Sequence, residues 1–305
     1  MLTFVLRRFL EAILVLWLIV TATFFMVRLV PGGPFDGEKD IPEVTRQQLE
    51  AYYGLDKPLP VQYLNYLGNL VQGDLGTTFK YQGWTVNEII ARKLPVSFEL
   101  GALAMGIALV IGIGAGVLAA WRPGTTTDTA PMSLAMLGIC LPTFVLGPLL
   151  ILVFGLKLHL VNVMGWNLPQ DRILPALTLG LFYAAYVARL TRASMLEIRR
   201  EDYMRTARAK GLPEARVYLL HGLRNGLSPV VSYLGPALAG LISGSFVVET
   251  IFNIPGLGRF FVQAALDNDY TMVLGCVLFY AALIIVFNLI SDILLVWLNP
   301  RRKLS

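Results

Sequence analysis

The stretch EDYMRTARAKG (201–211) decides how the chain is organised, because it is a polar, helix-forming segment set among long apolar runs. Two acids stand at its start, where a helix N-terminus carries partial positive charge, and two bases stand near its end. Gly211 supplies the residue type that closes helices in the left-handed conformation, and Pro213 prevents simple continuation. The pattern predicts a short helix that ends at Gly211.

The surroundings of this helix indicate a docking surface. Ala207 and Gly211 are four residues apart, so they share a helix face on which another surface can approach the backbone closely. The loop 189–224 around them holds nine bases and four acids, and such a bias marks the cytoplasmic side of a membrane protein. We expect a cytoplasmic partner to dock here, although a plain basic loop that only sets topology would show the same bias. The expected docking residues are Asp202, Tyr203, Thr206, Ala207, Arg208, Lys210 and Gly211.

The composition of the chain is that of an integral membrane protein. Of its 305 residues, 56% are hydrophobic and 15% are charged, whereas soluble domains average about 25% charged residues. The net charge of +5 fits loop charges that set topology, so no nucleic-acid binding is implied. The sequence contains no Gly-Lys-Ser/Thr phosphate loop and no zinc or nucleophile motif, so we expect no catalysis on this chain. Cys140 and Cys276 lie in apolar runs and are expected to be buried.

Six apolar runs predict six membrane-spanning helices, because about 20 apolar residues cross the hydrocarbon core. The predicted spans are Phe9–Val27, Leu100–Trp121, Pro131–Leu156, Ile173–Ala188, Leu227–Val248 and Thr271–Ser291. The third is expected to kink at Pro142 and Pro148, and the fourth is short for a span. Arginines before the first span and the bases Arg301, Arg302 and Lys303 after the last place both chain ends in the cytoplasm.

Residues 31–95 differ from the rest in being polar, aromatic and rich in glycine and proline. The spacing of acids and apolar residues predicts short helices over Glu43–Tyr53 and Val61–Val71. We therefore expect a small external helical subdomain between the first two spans. The predicted divisions are a first transmembrane helix (1–30), the external subdomain (31–95), a transmembrane domain (96–300) with a cytoplasmic loop (189–226), and a cytoplasmic tail (301–305).

Small residues and charges are the informative exceptions within the apolar runs. Gly112 and Gly116, four apart, predict close packing between helices. Glu249 joins a glycine- and proline-rich span to the turn IPGLG, and we interpret Glu249, Pro255 and Gly256 as candidate gating residues. The plainer alternative is a charge that anchors a helix end at the membrane interface. Charged residues lie near the span ends, which argues against a proton-coupled carrier.

Several motifs, in order, resemble the permease subunits of binding-protein-dependent ABC importers. Within that family the chain is similar to the peptide/nickel class, most closely to its oligopeptide B-type branch. The likeness rests on TARAKG (206–211), RRFLEAI (7–13), RLVPGGPFDG (28–37), GDLGTTF (73–79), LPVSFELG (94–101), ARLTRASMLE (188–197) and ETIFNIPGLGRFFVQAALDNDY (249–270), so it covers essentially the whole chain. Thr206 stands where the general family signature has Glu, and the peptide class looks to share that departure.

The resemblance implies an all-α polytopic membrane protein with the ABC type I importer permease fold, in which six transmembrane helices carry the small external helical subdomain. It also implies location in the bacterial cytoplasmic (inner) membrane. The implied partners are a homologous C-type permease, two cytoplasmic ATPases, an external solute-binding protein and membrane lipid. ATP and magnesium would be bound by the ATPases, so no cofactor, metal or catalytic residue is expected on this chain.

The function that the resemblance implies is ATP-driven import of oligopeptides, with residues 201–211 coupling the chain to the ATPases. Relatives of this class also handle dipeptides, nickel chelates and glutathione-like solutes, so these substrates are alternatives. A stand-alone secondary carrier or channel is the alternative from another class. A membrane-embedded enzyme is disfavoured because the catalytic motifs are missing.

Overall fold

A computed structural model describes residues 2–29, 33–34, 42–81 and 83–298. In this part of the chain, helices follow one another and no β-sheet forms. Five of the described helices are long and apolar enough to cross a membrane, and a strongly bent pair supplies a sixth candidate span. The all-α polytopic prediction is therefore confirmed. The predicted tail 301–305, with its three bases, and most of the turn cluster 31–37 lie outside the described residues.

The first three helices lie where the sequence predicts them. The bounds are Leu2–Leu29 for α1, Glu43–Tyr52 for α2 and Leu59–Val71 for α3. Beyond the end of α2, Gly54 takes left-handed backbone at φ +67°. Neither α2 nor α3 contains a buried residue. Aromatic contacts join α3 to α1 instead, with the rings of Phe24 and Tyr63 5.3 Å apart.

The second predicted span is the C-terminal part of a much longer helix. Helix α4 runs over Val86–Trp121, which is 36 residues and about 54 Å, well beyond the ~30 Å of the hydrocarbon core. Gly112 and Gly116 of this helix pack against the seventh helix. A Cβ added at these glycines would lie 2.6 Å from the Cβ atoms of Val187 and Thr191, respectively. The predicted close packing at this glycine pair is therefore confirmed.

The third predicted span is broken into two parts. The parts are α5 over Thr126–Cys140 and α6 over Thr143–Leu150, the latter continuing as a π-helix over Ile151–Lys157. They meet at a bend of 108°, because Pro142 cannot donate a backbone hydrogen bond and holds its predecessor in extended backbone. The kink expected at Pro142 is confirmed. Helix α6 runs through Pro148 and continues as the π-helix from Ile151, and the kink expected at Pro148 stays a prediction.

The fourth span is longer than predicted. After a 3₁₀ turn over Pro169–Arg172, helix α7 runs over Ile173–Ile198 and so passes Arg189, which was expected to end the span. Arg192, further along the same helix, is paired: its Nε and Nη2 lie 2.6 and 2.7 Å from the two carboxylate oxygens of Asp128 on α5. A bidentate pair compensates both charges, which allows the helix to continue.

The remaining helices follow the predicted order. Their bounds are Asp202–Ala209 (α8), Glu214–Arg216 (α9), a π-helical turn over Val217–Gly222, Leu223–Gly226 (α10), Ser228–Gly244 (α11), Phe246–Ile251 (α12), Leu257–Leu266 (α13) and Tyr270–Leu298 (α14). The fifth predicted span corresponds to α11 with α12, and the sixth to α14. Cys276 in α14 is buried as expected, whereas Cys140 at the end of α5 is exposed, so that expectation is wrong.

The contacts divide the chain into two compact units. The first consists of Met1–Pro95 with Gly256–Leu283, and the second of Val96–Pro255 with Ile284–Ser305. The core of the second unit is an apolar cluster in which α4, α7 and α11 bury residues such as Leu100, Leu174 and Leu241. The docking segment follows the C-terminal end of α7, about 20 residues beyond the part of α7 that lies in this core.

Candidate docking and translocation surfaces

The predicted docking helix forms with the caps that its sequence specifies. Glu201 has extended backbone, and its carbonyl accepts the N–H of Met204 at 3.1 Å, which starts helix α8. At the other end Gly211 takes left-handed backbone at φ +75°, and its N–H donates to the carbonyl of Arg208 at 2.9 Å. The helix predicted from the order of acids, bases and glycine is confirmed.

The inner face of α8 corrects the expected role of Ala207. Ala207 is only 6% exposed in the isolated chain, and it packs in one cluster with Met204 and Val217, both fully buried. Its face is therefore turned towards its own chain and offers no approach to a partner. The small residue at this position instead allows α8 to lie close to the π-helical turn that follows. The proposed pairing of Ala207 with Gly211 on one docking face is wrong.

Arg208 also makes its contacts within its own chain. Its Nε donates to a carboxylate oxygen of Glu214 at 2.9 Å, and its Nη1 lies 3.5 Å from the carbonyl of Arg199. The guanidinium thus joins the end of α8 to the turns before and after it. An ion pair of this kind, with the side chain of Arg208 29% and that of Glu214 51% exposed, adds modest stability and fixes the direction of the loop.

The outward face of α8 carries the other expected docking residues. Asp202, Tyr203, Thr206, Lys210 and Gly211 are all exposed. The hydroxyl of Thr206 donates to the carbonyl of Asp202 at 2.9 Å, so it is already satisfied within the helix. The exposed face is polar and holds one aromatic ring, a composition suited to a protein contact that forms and dissociates.

The platform beneath α8 is rigid and continuous with two spans. The ring of Tyr218, in the π-helical turn, stacks on Trp121 at the end of α4, with centroids 5.5 Å apart and planes 14° from parallel. Tyr218 and Met195 of α7 are almost completely buried together. Because close-packed interiors transmit displacement, a force on α8 reaches the ends of both spans.

Glu249 forms a buried polar link in the second unit. Its Oε1 accepts the hydroxyl of Ser97 on α4 at 2.7 Å and that of Ser245, between α11 and α12, at 2.6 Å. Glu249 itself is fully buried, so it does not anchor a helix end at the membrane surface. The following residues differ in exposure: Pro255 is exposed, and Gly256 is a buried N-cap of α13. The gating role of these three residues stays a prediction.

Three tyrosines in the spans form a cluster that the sequence analysis overlooked. Tyr183 and Tyr186 lie in the middle of α7, and Tyr233 lies on α11, with ring centroids 6.0 to 6.4 Å apart across the two helices. All three are half-exposed. The guanidinium of Arg189 lies 5.2 Å from the ring centre of Tyr186. The sequence signal that could have indicated this cluster is the presence of tyrosines in otherwise aliphatic runs.

The hydroxyls of this tyrosine cluster indicate what it faces. Within the described residues none of the three hydroxyls forms a hydrogen bond. A polar group turned towards hydrocarbon would lose its hydration without compensation, at a cost of about 1–3 kcal/mol. The cluster is therefore suited to a surface that meets another protein or a hydrated path, and it is unsuited to a lipid-facing surface.

Two family models match the chain. The model described as "Binding-protein-dependent transport system inner membrane component" matches residues 112–304. A second, described as "Binding-prot-dependent transport system membrane comp, N-term", matches residues 1–101. The first match includes α8 and its platform, and the second includes α2 and α3.

Full-length relatives are found among peptide permeases. The chain is 46% identical over 303 residues to "Oligopeptide transport system permease protein OppB" of Escherichia coli (strain K12), covering 99% of each chain. It is 43% identical to the protein of that name in Haemophilus influenzae, again over 99% of each chain. With "Dipeptide transport system permease protein DppB" of Bacillus subtilis (strain 168) it shares 41% over 301 residues, which covers 99% of this chain and 98% of the relative.

A solved structure shares the fold at low sequence identity. The chain matches an inward-facing conformation of the MetNI methionine ABC transporter with a TM-score of 0.58 and 17% identity. The match covers 69% of this chain and 96% of the other. At this identity the likeness concerns the fold alone, and it agrees with the type I importer permease fold implied by the sequence motifs.

Proposed function

The chain belongs to the family of binding-protein-dependent transport system inner membrane components, and from that premise we propose that it conducts oligopeptides in an ATP-driven importer. It is a membrane-spanning permease of the ABC importer class, with a transport role and no catalysis of its own. The observation that carries the choice of cargo is 46% identity to an oligopeptide permease over 99% of both chains.

A dipeptide is the second candidate cargo, and it is favoured by one observation. Dipeptide permeases match the chain over the same length at 40 to 41% identity, only five to six percentage points below the 46% of the oligopeptide permease. Uptake of labelled di-, tri- and pentapeptides by cells that depend on this chain separates the two. Transport of the pentapeptide supports the oligopeptide proposal, and uptake confined to dipeptides contradicts it.

The proposed arrangement places the outer helices α2 and α3 outside the cell and the loop 189–226 in the cytoplasm. Support comes from the Lys/Arg excess in that loop and from the span order. Single cysteines at Lys57 and Arg199, introduced without Cys140 and Cys276, test it with an impermeant thiol reagent on whole cells. Labelling at position 57 alone is expected, and labelling at 199 alone contradicts the arrangement.

We further propose that two cytoplasmic ATPases supply the energy, one of them through the outward face of α8. ATP and magnesium belong to those partners in this scheme, a homologous C-type permease completes the path, and an external solute-binding protein delivers the peptide. Changing an inward-to-outward population from 1:99 to 99:1 takes about 5.5 kcal/mol of differential binding. The buried attachment of Met204 and Ala207 supports a lever stiff enough to transmit it.

Thr206→Arg tests the outward face of α8, because it adds volume and charge at an exposed position and leaves the buried side untouched. The variant is expected to insert and fold normally but to lose ATPase co-purification and peptide uptake. Arg199→Asp, exposed and outside the helix, is the control and should retain both. Full ATPase retention in Thr206→Arg would contradict docking at this face.

The tyrosine cluster of α7 and α11 supports a proposed path surface. Peptides with different side chains must pass, so neutral rings and hydroxyls suit the cargo better than fixed charges. Tyr186→Phe keeps the ring contact with Tyr233 and removes only the hydroxyl. We expect it to raise the KM for uptake of polar peptides while ATPase assembly is unchanged.

A further inference from the structure

The first unit contains a cavity that the transport scheme does not use. Its volume is about 310 Å³, and it lies between the end of α1, the helices α2 and α3, and the start of α14. The polar and aromatic residues that matter here are Arg28, Tyr52, Tyr53, Lys57, Asn65 and Tyr66. All of the lining residues belong to this one unit.

The cavity is cationic. Arg28 and Lys57 are among the lining residues, and none of those residues is an aspartate or glutamate. Arg28 is half-buried: its Nε donates to Oε1 of Gln62 at 3.1 Å and its Nη1 to the carbonyl of Phe24 at 3.2 Å. In the described part of the chain no carboxylate pairs with it. A partly desolvated guanidinium without a counter-charge is costly, and a bound anion would compensate it.

A second polar group in the cavity also lacks a partner. The hydroxyl oxygen of Tyr66 is buried, and among the described residues nothing hydrogen-bonds to it. Burial raises the pKa of Tyr66 to about 12, and the nearby Arg28 opposes that shift only in part. The hydroxyl therefore keeps its proton at physiological pH and has a donor that no described residue uses.

A buried acid of this unit is engaged elsewhere. Asp269 is buried, and its two carboxylate oxygens accept the backbone N–H groups of Phe79, Lys80 and Met272 at 3.1 to 3.4 Å. It is not a lining residue of the cavity. Arg28 itself lies over the ring of Phe24 at 3.5 Å, and its electrostatic neighbours are the neutral Tyr270 and Tyr66.

The remaining walls suit the body of a small organic ligand. Tyr53 and Phe79 line the cavity, with their rings in edge-to-face contact at 4.6 Å. Asn65, whose amide can donate, lies on the same helix as Tyr66. Aromatic surface beside a cation and neutral donors is the combination that holds a molecule with an apolar part and one oxyanion.

We propose that this cavity is a binding site for an oxyanion, carboxylate or phosphate, held by the Arg28 guanidinium and the Tyr66 hydroxyl. Two sources can supply that group: the terminal carboxylate of a free peptide, or the headgroup phosphate of an anionic phospholipid. The site does not depend on the proposed cargo, because its charge and donors are present whichever solute the protein conducts.

Calorimetric titration of the full chain in phosphatidylcholine nanodiscs tests the first source. Trialanine is expected to bind, and trialanine amide, which lacks the carboxylate, is expected to bind at least about tenfold more weakly. Native mass spectrometry of chain purified from membranes containing phosphatidylglycerol tests the second source. A retained phosphatidylglycerol that trialanine displaces identifies lipid phosphate as the resident group.

Variants decide whether the binding belongs to this cavity. Arg28→Gln should weaken either ligand at least about tenfold, and Tyr66→Phe about threefold to tenfold, since each loses a donor to a charged group. Tyr66→Phe keeps the ring and therefore the fold. Arg46→Gln removes a cation on α2 that does not line the cavity, so it should bind like the wild type.

The proposal is overturned if neither trialanine nor phosphatidylglycerol binds, or if Tyr66→Phe and Arg28→Gln both bind like Arg46→Gln. Equal binding of trialanine and its amide, together with no retained phosphatidylglycerol, overturns it as well. Peptide uptake is measured separately in the same variants, so a failure of the transport proposal is distinguished from a failure of this site.

Discussion

Helix α8, called the inner helix because we propose that it lies in the cytoplasm, and α2 and α3, called the outer helices in the same proposal, are attached in different ways. α8 has only eight residues, yet Met204 and Ala207 are buried in a cluster with Val217. α2 and α3 have 10 and 13 residues and contain no buried one. Isolated helices of these lengths are marginal in water, so each depends on what holds it. Apolar burial holds the inner helix, whereas ring contacts and hydrogen bonds hold the outer pair.

This difference suits two kinds of work. A helix that transmits force must open rarely, and buried apolar contacts raise the free energy of local opening. Helices that rearrange around a ligand or a receptor have a low free energy of local opening. We expect α8 to behave as a lever and α2 and α3 to behave as an adaptable cover.

The largest expected effect comes from breaking the inner attachment. Ala207→Asp places a charge among Met204 and Val217, where no partner for it exists in the described structure, and should cost about 3 kcal/mol or more of local stability. Amide hydrogen exchange over 201–216 should then rise by at least about a hundredfold. Uptake should be lost with it.

Ala209→Asp is the matched control for this substitution. Ala209 lies on the same helix and is exposed, so the same change of residue should leave the amide exchange of α8 within about twofold of the wild type. If Ala207→Asp also left exchange unchanged, burial would not be what holds the inner helix, and the comparison with the outer helices would fail.

The sequence predicted α8 well because its signals are local. The acids, bases and Gly211 act through backbone geometry and the helix dipole, which depend on near neighbours. The inward orientation of Ala207 was missed, because four-residue spacing says which residues share a face and not what that face meets. Only the position of Val217, ten residues further along, decides it.

The span ends and the polar contacts inside the fold were predicted less well for the same reason. The extension of α7 past Arg189 depends on the pairing of Arg192 with Asp128, 64 residues away. The buried link from Glu249 to Ser97 joins residues 152 apart. The composition does not show which distant residues pair. The span was therefore predicted to end at the first charged residue of the apolar run.

The attachment of the outer unit is tested at Asp269, whose carboxylate accepts three backbone N–H groups. Asp269→Asn keeps the shape but replaces one accepting oxygen with an NH2 group that cannot accept a backbone N–H, which should cost about 1–3 kcal/mol. Hydrogen exchange at Phe79 and Lys80 should rise, while exchange in α8 is unchanged. A rise in both regions would contradict the separate attachment of the two.

The same carboxylate gives the outer unit a pH dependence. Burial, opposed by the three N–H donors, raises the pKa of Asp269 above its ordinary value of 3.8. The folded state therefore binds this proton more tightly than the unfolded state, so its contribution to stability is complete below about pH 3.8 and falls as pH rises through the folded value. Slower exchange at Phe79 below pH 3.8 than at neutral pH, after correction for intrinsic rates, is expected in the wild type and not in Asp269→Asn.

The smallest expected effect allows the most direct comparison, because the same Gly→Ala substitution can be made after a helix in both regions. Gly211 and Gly54 each follow a helix C-cap with left-handed backbone, at φ +75° and +67°. Nothing lies within 4 Å of a Cβ added at Gly211, and at Gly54 only Lys57 lies in ordinary contact. Each Gly→Ala substitution should therefore cost about 1 kcal/mol of backbone strain and little else.

Equal costs should produce unequal responses. An added ~1 kcal/mol raises the population of the locally open state about fivefold. In α8 the buried residues keep that population small, so Gly211→Ala should leave uptake and limited-proteolysis patterns close to those of the wild type. In α2 no buried residue opposes opening, so Gly54→Ala should make the α2–α3 connection visibly more sensitive to protease. Equal sensitivity in the two variants would mean that the inner and outer helices have similar local stability, in spite of the burial that separates them.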